Sequence, residues 1–483
     1  MTDTDLALLD LLSARLGSGH VIRDPAAMES YLTEERKLYR GAAMAVLRPG
    51  STEDVAFAVR ACAKAHVAVV PQGGNTGLVG GGVPHKGIVL SLARLDRIRE
   101  VDAFNATITA EAGCILKTVQ DEAEKVDCLF PLSLASEGSC RIGGNIASNA
   151  GGTAVLRYGN MRDLVLGLEV VLADGRIWNG LKGLRKDNEG YDLKNLFIGS
   201  EGTLGIVTAA VLKLFPRPKA RAVAFAGCAS PHAALALFES LRRQTGDQLT
   251  AFEYMPRFAL EIVLKHAAGA VRPLAGDHAA YALIELSSPD PEIDLSKRLE
   301  RVLGSALEAG IVEDASIAAS EARNAALWHL RESLPHVQRI EGGSIKHDVA
   351  VPVSRIADFI VAASAACEQA LPGVRVCAFG HFGDGNIHFN LSQPVGMDKA
   401  AFLAQWKRFN RIVHDIVHGM NGSIAAEHGV GLIKRDELAR YKDPVALELM
   451  KTLKVALDPQ NILNPGKVVA LGADAPPSLP VAQ

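Results

Sequence analysis

The chain has 483 residues, 48% hydrophobic and 22% charged, an ordinary globular balance spread over too many residues for one core. A formal net charge of −3 gives no reason to expect nucleic acid or an anionic membrane as a bulk partner, and no run reaches the roughly 18 apolar residues of a membrane span. The seven cysteines are scattered, odd in number and without C-x-x-C spacing, which argues against a disulfide framework and fits a reducing compartment.

The N-terminus is acidic and then amphipathic, with Leu6, Leu9, Leu12 and Leu16 at helical spacing. A secretory signal needs a basic start, and a mitochondrial presequence is arginine-rich and acid-poor. Neither fits, so the cytoplasm is the expected compartment. Residues 1–45 are expected to be helical and polar. From Ala43 the texture becomes strand, then a helix opened by the Ser-x-x-Asp start Ser51 to Asp54, then a strand at 67–70: a βαβ unit. The glycine block PQGGNTGLVGGGVP (71–84) follows. Such density lets backbone approach a ligand closely and presents N–H groups to phosphate oxygens; the alternative is a flexible loop. It is no Rossmann fingerprint, because Gly80, Gly81, Gly82 and Pro84 break any helix and a strand follows at once. It also lacks the Gly-Lys-Ser/Thr ending of a P-loop.

A strand at 106–116 and a helix to about Lys125 lead to a second small-residue block, 136–152, which carries too little charge for a solvated loop. Asp174-Gly175 marks a hairpin between 164–173 and 176–178. A third block spans 198–207. Three such loops tied to strands suggest one long ligand threaded through a single α+β domain, expected at 1–217 and closed by Pro216-Arg217-Pro218.

Residues 218–420 read as a second domain, an antiparallel sheet with helices on one side. Strands are expected at 222–226 and 281–286, and helices at 232–243, 257–267 and 291–309. A helix at 321–337 carries Arg331, and a strand at 344–351 presents Lys346, His347 and Asp348. The stretch CAFGHFGDGNIHFNL (377–391) reads as a hairpin, with Gly383 to Asn386 as its turn. Its two histidines, His381 and His388, converge at the facing ends. A third ligand is suggested by Glu427 in AAEHGVG (425–431). Two histidines and one carboxylate form a catalytic zinc set that leaves a coordination position open; the alternative is a strand pair with incidental polar ends. The segment 421–483 carries a helix at 444–457 and the run DPQNILNPGK (458–467), then ends in a Pro/Ala-rich tail, 472–483, expected to be disordered.

Six motifs occur in order: PQGGNTGLVGGGVP, GSCRIGGNIASNAGG, GSEGTLGI, GHFGDGNIHFN, AAEHGVG and DPQNILNPGK. Together they resemble flavoproteins of the vanillyl-alcohol oxidase / p-cresol methylhydroxylase fold, most closely the D-2-hydroxy-acid dehydrogenase branch, from about Ala43 to Lys467. The resemblance implies FAD held without a Rossmann fold. Pro71, Gln72, Gly73, Gly74, Asn75, Thr76, Gly77 and Leu78 would wrap the pyrophosphate. Ser139, Gly143, Gly144, Ala147 and Gly152 would line the isoalloxazine and ribityl side. Glu201, Gly205 and Ile206 would sit near the adenine, and Asn464 would return to the flavin domain from the far side. No histidine lies in the three glycine blocks, so the flavin is expected to be non-covalent.

Oxidation of a D-2-hydroxy acid requires a hydride acceptor, which flavin N5 supplies, a base, and a positive charge for the developing alkoxide. A metal on His381, His388 and Glu427 would bind and acidify the hydroxyl. The N/N/O set favours zinc, while manganese, iron or cobalt also fit. His428 is the expected base. Arg331 grips a carboxylate bidentately; it and Lys346 match the branch's substrate cations, and Asn390 is a further donor. Two cations suit a dicarboxylate, D-2-hydroxyglutarate or D-malate; D-lactate would leave one unpaired. Some members carry a threonine four residues after the arginine, where this chain has Pro335. Ser333 or His336 would have to replace that contact. The alternatives are a D-lactate or broad-range D-2-hydroxy-acid dehydrogenase and, more remotely, a flavin-binding subunit without turnover. The expected electron acceptor is an electron-transfer flavoprotein, a quinone or a cytochrome, not oxygen, and a homodimer is the expected assembly.

Overall fold

The computed structural model describes residues 2–472, so all but Gly472 of the tail expected to be disordered lies outside the described residues. The chain divides into two units, one of Met1–Gly151, Gly159–Pro216 and Glu427–Gln483, the other of Gly152–Tyr158 and Arg217–Ala426.

In the first unit, the Ser51 hydroxyl accepts the Asp54 N–H at 3.1 Å and starts the helix Thr52–Lys64, as the spacing predicts. Strands Ala45–Leu47, Ile88–Ser91 and Val69–Gln72 pair in parallel, with Val21–Ile22 antiparallel on the edge. That edge strand interrupts the expected helical N-terminus, which holds two helices, Asp3–Leu16 and Pro25–Leu32. A second sheet is antiparallel throughout, in the order Ile98–Asp102, Thr107–Glu111, Ile206–Lys213, Val165–Val171, Ile177–Gly180. Gly175, at φ +80°, makes the predicted hairpin turn, with Val171 opposite Ile177. The second small-residue block is not a loop throughout. Ile142–Ala147 is a short helix, packed so tightly that a Cβ on Gly143 would lie 2.7 Å from that of Ala112.

The helix Pro444–Leu457 is anchored by one buried lysine. Lys454 Nζ pairs with Asp458 at 2.5 Å and donates to the carbonyls of Thr203 (2.9 Å) and Leu463 (2.8 Å). Both side chains of the pair are out of solvent. Removing one charge leaves the other buried and uncompensated. Asp458→Ala is therefore expected to destabilise this unit by about 3–5 kcal/mol, read as a lowered urea midpoint.

The second unit is built on seven antiparallel strands in the order Asp314–Ile317, Ala220–Cys228, Ala280–Ser288, Leu249–Pro256, Arg375–His381, Asn386–Ser392, Ser344–Ala350. The sheet was expected; helices on one side only were not found. Phe238 of the helix Pro231–Thr245 packs edge-on against Phe252 from one face, with ring centres 5.3 Å apart. On the other face, Trp328 of the helix Glu321–Glu332 donates from Nε1 to Glu285 at 2.7 Å. The strand Ala280–Ser288 is buried at every residue, the pattern of a strand covered on both faces. The helix expected at 321–337 divides at Ser333 into Glu321–Glu332 and Leu334–Ile340. Pro335 explains the break: it has no N–H for the preceding turn and suits the first turn of a new helix.

Candidate active site

The first unit holds a cleft with about 1020 Å³ of empty space, part of it open to solvent. Its walls include Pro71 to Gly77 and Gly80 to Gly82, Gly143, Gly144 and Ala147 from the short helix, and Glu201, Gly205 and Ile206 from the third block. Two glycines shape the cleft. A Cβ on Gly77 or on Gly144 would meet no atom within 4 Å, and neither residue needs a left-handed backbone. Their missing side chains leave that part of the cleft open. Gly74 is different, because a Cβ there would lie 2.3 Å from the Ser139 carbonyl oxygen. Among the described residues, no backbone carbonyl accepts from the N–H groups of Gly73 to Gly77, which leaves a row of donors for an anion. Arg141, not anticipated from the sequence, also lines the wall, and its guanidinium donates to the Gly113 carbonyl.

His428 also lines this cleft. The segment after it is held by Glu201, a left-handed residue at φ +51°. The Glu201 carboxylate accepts the N–H of Val430 at 2.7 Å and that of Gly431 at 2.9 Å. Burial pushes this carboxyl up to about 6, with the two backbone donors pulling it down. Asn464 Nδ2 donates to the carbonyls of Gly81 (2.9 Å) and Glu201 (2.8 Å). The returning segment thus ties the first and third glycine blocks together.

The second unit presents its polar residues on one sheet face. Cross-strand register places Asp348 opposite His388, Lys346 opposite Asn390, Phe379 opposite His388, and Glu253 opposite His381. The rings of His381 and His388 are 5.5 Å apart at 79°. Two imidazoles bound at about 2.1 Å to one tetrahedral ion place their ring centres roughly 5 Å apart, close to this spacing; among the described residues, the side chains whose ligand atoms all lie within 4.8 Å of one another include His388 and Asp348 but not His381. Asp348 Oδ1 lies 3.8 Å from His388 Nδ1. Ala426, the last residue of this unit, donates to the Asp348 carbonyl at 3.4 Å, and Glu427 follows it in sequence.

Arg331 is buried, not on a solvated helix face. Its Nε donates to Glu253 Oε2 at 2.7 Å, and its guanidinium lies 4.8 Å over the Phe379 ring. Among the described residues neither terminal nitrogen donates to protein, so both remain for a carboxylate. Burial alone would push the Glu253 carboxyl up; its two partners, His381 and Arg331, outweigh it and hold the group well below the usual carboxylate range. Burial pushes the Cys377 thiol up to about 12, while nearby Lys346, Arg331 and Arg375 pull the other way. All seven cysteines are free.

The profile "FAD linked oxidases, C-terminal domain" matches residues 217–468, and "FAD binding domain" matches residues 43–180. The chain belongs to the FAD-linked oxidase family. It is an FAD-dependent dehydrogenase. It is 39% identical, over 97% of its length and 84% of the relative's, to D-2-hydroxyglutarate dehydrogenase, mitochondrial, of Bos taurus. It is 38% identical, over 95% of both chains, to D-2-hydroxyglutarate dehydrogenase of Xanthomonas citri. The fold is that of p-cresol methylhydroxylase in its substrate complex, with TM-score 0.77 and 16% identity over 98% of this chain and 99% of that one. No helix among the described residues is long and apolar enough to cross a membrane.

Several residues expected at the site do not form the cleft wall or are engaged with other parts of this FAD-linked oxidase. Leu78, Ser139 and Asn464 do not line the cleft, and Gly152 falls in the second unit. The Ser139 hydroxyl donates to the Ser136 carbonyl at 3.2 Å. Asn75 and Gln72 do line it, but their amides brace the loop: Asn75 Nδ2 donates to the Ser30 and Thr33 carbonyls, and Gln72 Nε2 to those of Tyr31 and Gly82. Ser333 turns to His329 Nδ1 at 3.3 Å, on the side of its helix away from Arg331. Asn390 is buried and donates to Gln338 at 2.9 Å. Glu253 was missed as well. Its signal was there to read: one carboxylate in the otherwise apolar strand LTAFEYMP.

Proposed function

We propose that this FAD-dependent dehydrogenase oxidises D-2-hydroxyglutarate, and D-malate more slowly, to the 2-oxo acid, with FAD in the glycine-walled cleft and a divalent metal on His381, His388 and Glu427. The observation that carries the reading is one sheet face that brings together Lys346, opposite Asn390, the Phe379 ring under Arg331, and the adjacent rings of His381 and His388. The names of the relatives support the same substrate.

Gly77, Gly144 and the donor row from Gly73 to Gly77 would hold the FAD; His381 and His388 would give imidazole nitrogens to the metal, and Glu427 a carboxylate oxygen. When bound, the flavin supplies the hydride acceptor and the metal supplies Lewis acidity at the substrate hydroxyl. The rest is the work of side chains. The open Nη groups of Arg331 take a carboxylate in a fork, and Lys346 supplies a second cationic contact. An imidazole nitrogen of His428, on the cleft wall, takes the hydroxyl proton. Glu201 holds the segment next to His428 by two backbone bonds and so orients the base. The acceptor we propose is an electron-transfer flavoprotein, quinone or cytochrome.

Anaerobic mixing tests this reading. D-2-hydroxyglutarate is expected to bleach the flavin band near 450 nm, and a chelator to slow bleaching by at least 100-fold until zinc is restored. Bleaching that a chelator leaves untouched would remove the metal from the reaction. Pro335 favours a second reading, a D-lactate or broad-range enzyme; bleaching chiefly by D-lactate would establish it.

A further inference from the structure

Glu253 lies mid-strand, 1% exposed, where a charge needs partners. Each carboxylate oxygen has its own partner: Oε1 is 2.7 Å from His381 Nδ1, and Oε2 is 2.7 Å from Arg331 Nε. The partners are 128 residues later and 78 residues later in the chain. The strand register that sets Glu253 directly opposite His381 makes the first contact unavoidable. We infer that Glu253 is a positioning residue that locks His381 and Arg331 into one unit, so that metal affinity and substrate-carboxylate binding depend on a single buried carboxylate. This rests on the proposed reading, in which His381 is a metal ligand and Arg331 grips substrate.

A carboxylate only accepts, so His381 must present Nδ1 as N–H toward it. That fixes the tautomer with the lone pair on Nε2, the nitrogen that would serve as the ligand atom in the proposed reading. A carboxylate behind a ligating imidazole also raises its basicity. The second oxygen takes the Nε–H of Arg331 and aims the guanidinium, leaving both Nη groups outward. A glutamine cannot replace both functions. If its carbonyl accepts from Arg331, its NH2 faces Nδ1 and drives the proton to Nε2, where it blocks the ligand lone pair. If its carbonyl accepts from His381, its NH2 opposes the Arg331 N–H.

The test is zinc affinity, measured by chelator competition on the FAD-loaded protein, for the parent and for Glu253→Gln. FAD content and thermal melting report folding. The variant is expected to keep its FAD, to bind zinc about 10–100-fold more weakly and to show a raised KM for D-2-hydroxyglutarate beyond any fall in kcat. A folded variant that binds zinc as tightly as the parent overturns the inference and leaves Glu253 a structural ion pair. A parent that binds no stoichiometric zinc overturns the metal reading itself, a separate failure. Should the glutamine variant not fold, Glu253→Asp replaces it: acceptor-only but too short to span both partners, it is expected to lower zinc affinity or raise KM, and no change in either overturns the inference.

Discussion

A Gly144→Val protein is expected to purify folded but nearly colourless. The three added carbons would project into the cleft, where a Cβ meets nothing within 4 Å in the free chain. They would therefore displace only the ligand. Overpacking of this kind costs about 1–3 kcal/mol, or roughly 10–100-fold in FAD affinity. The backbone of Gly144 is helical, where valine is tolerated at least as well as glycine, so the apoprotein is expected to melt with the parent apoprotein. Bound FAD per chain, from the 450 nm to 280 nm absorbance ratio, is the measurement. Full retention of FAD would show that the cleft is not its site. Gly74→Val is the contrasting variant. Its Cβ would run into the Ser139 carbonyl oxygen, so it is expected to lose the fold along with the flavin.

Replacing Arg331 by lysine is expected to lower kcat/KM for D-2-hydroxyglutarate by roughly 10²–10³-fold, with a much smaller effect on D-lactate. Lysine keeps the charge near Glu253 but cannot offer one N–H to that carboxylate and a two-pronged fork to the substrate. Losing two charge-assisted hydrogen bonds, at about 1.5–3 kcal/mol each before compensation, sets the scale. Arg331→Ala tests something else. It strands the Glu253 charge in the core, so a stability loss of about 3–5 kcal/mol is expected and confounds kinetics. Equal losses for both acids in the lysine variant would show that Arg331 does not read the distal carboxylate.

The hairpin histidines and the glycine blocks were legible because each is a local pattern. His381 and His388 flank a glycine turn, and strand alternation alone aims their rings. Gly77 and Gly144 stand out by composition. Even so, composition did not separate Gly74, where a Cβ would strike backbone, from Gly144, where it would project into open cleft. That distinction rests on atoms 65 residues or more away in the chain. The same holds for Asn75 and Gln72, whose amides brace the loop, and for Ser333, which a half-turn of helix directs away from Arg331.

By itself the sequence determined an α+β chain with glycine-rich blocks, a hairpin bearing two histidines and a cation on the helix ahead of it, because period, turn chemistry and capping act over a few residues. It also marked Pro335 as a departure, and that proline does break the helix there. Only the tertiary structure decided which partners those side chains meet. Glu201 reaches Val430 and Gly431, 229 and 230 residues on, and Glu253 reaches Arg331 and His381. Such pairs are chosen by strand order and by the cost of leaving a buried carboxylate without donors, and neither quantity is written in any local window of the chain.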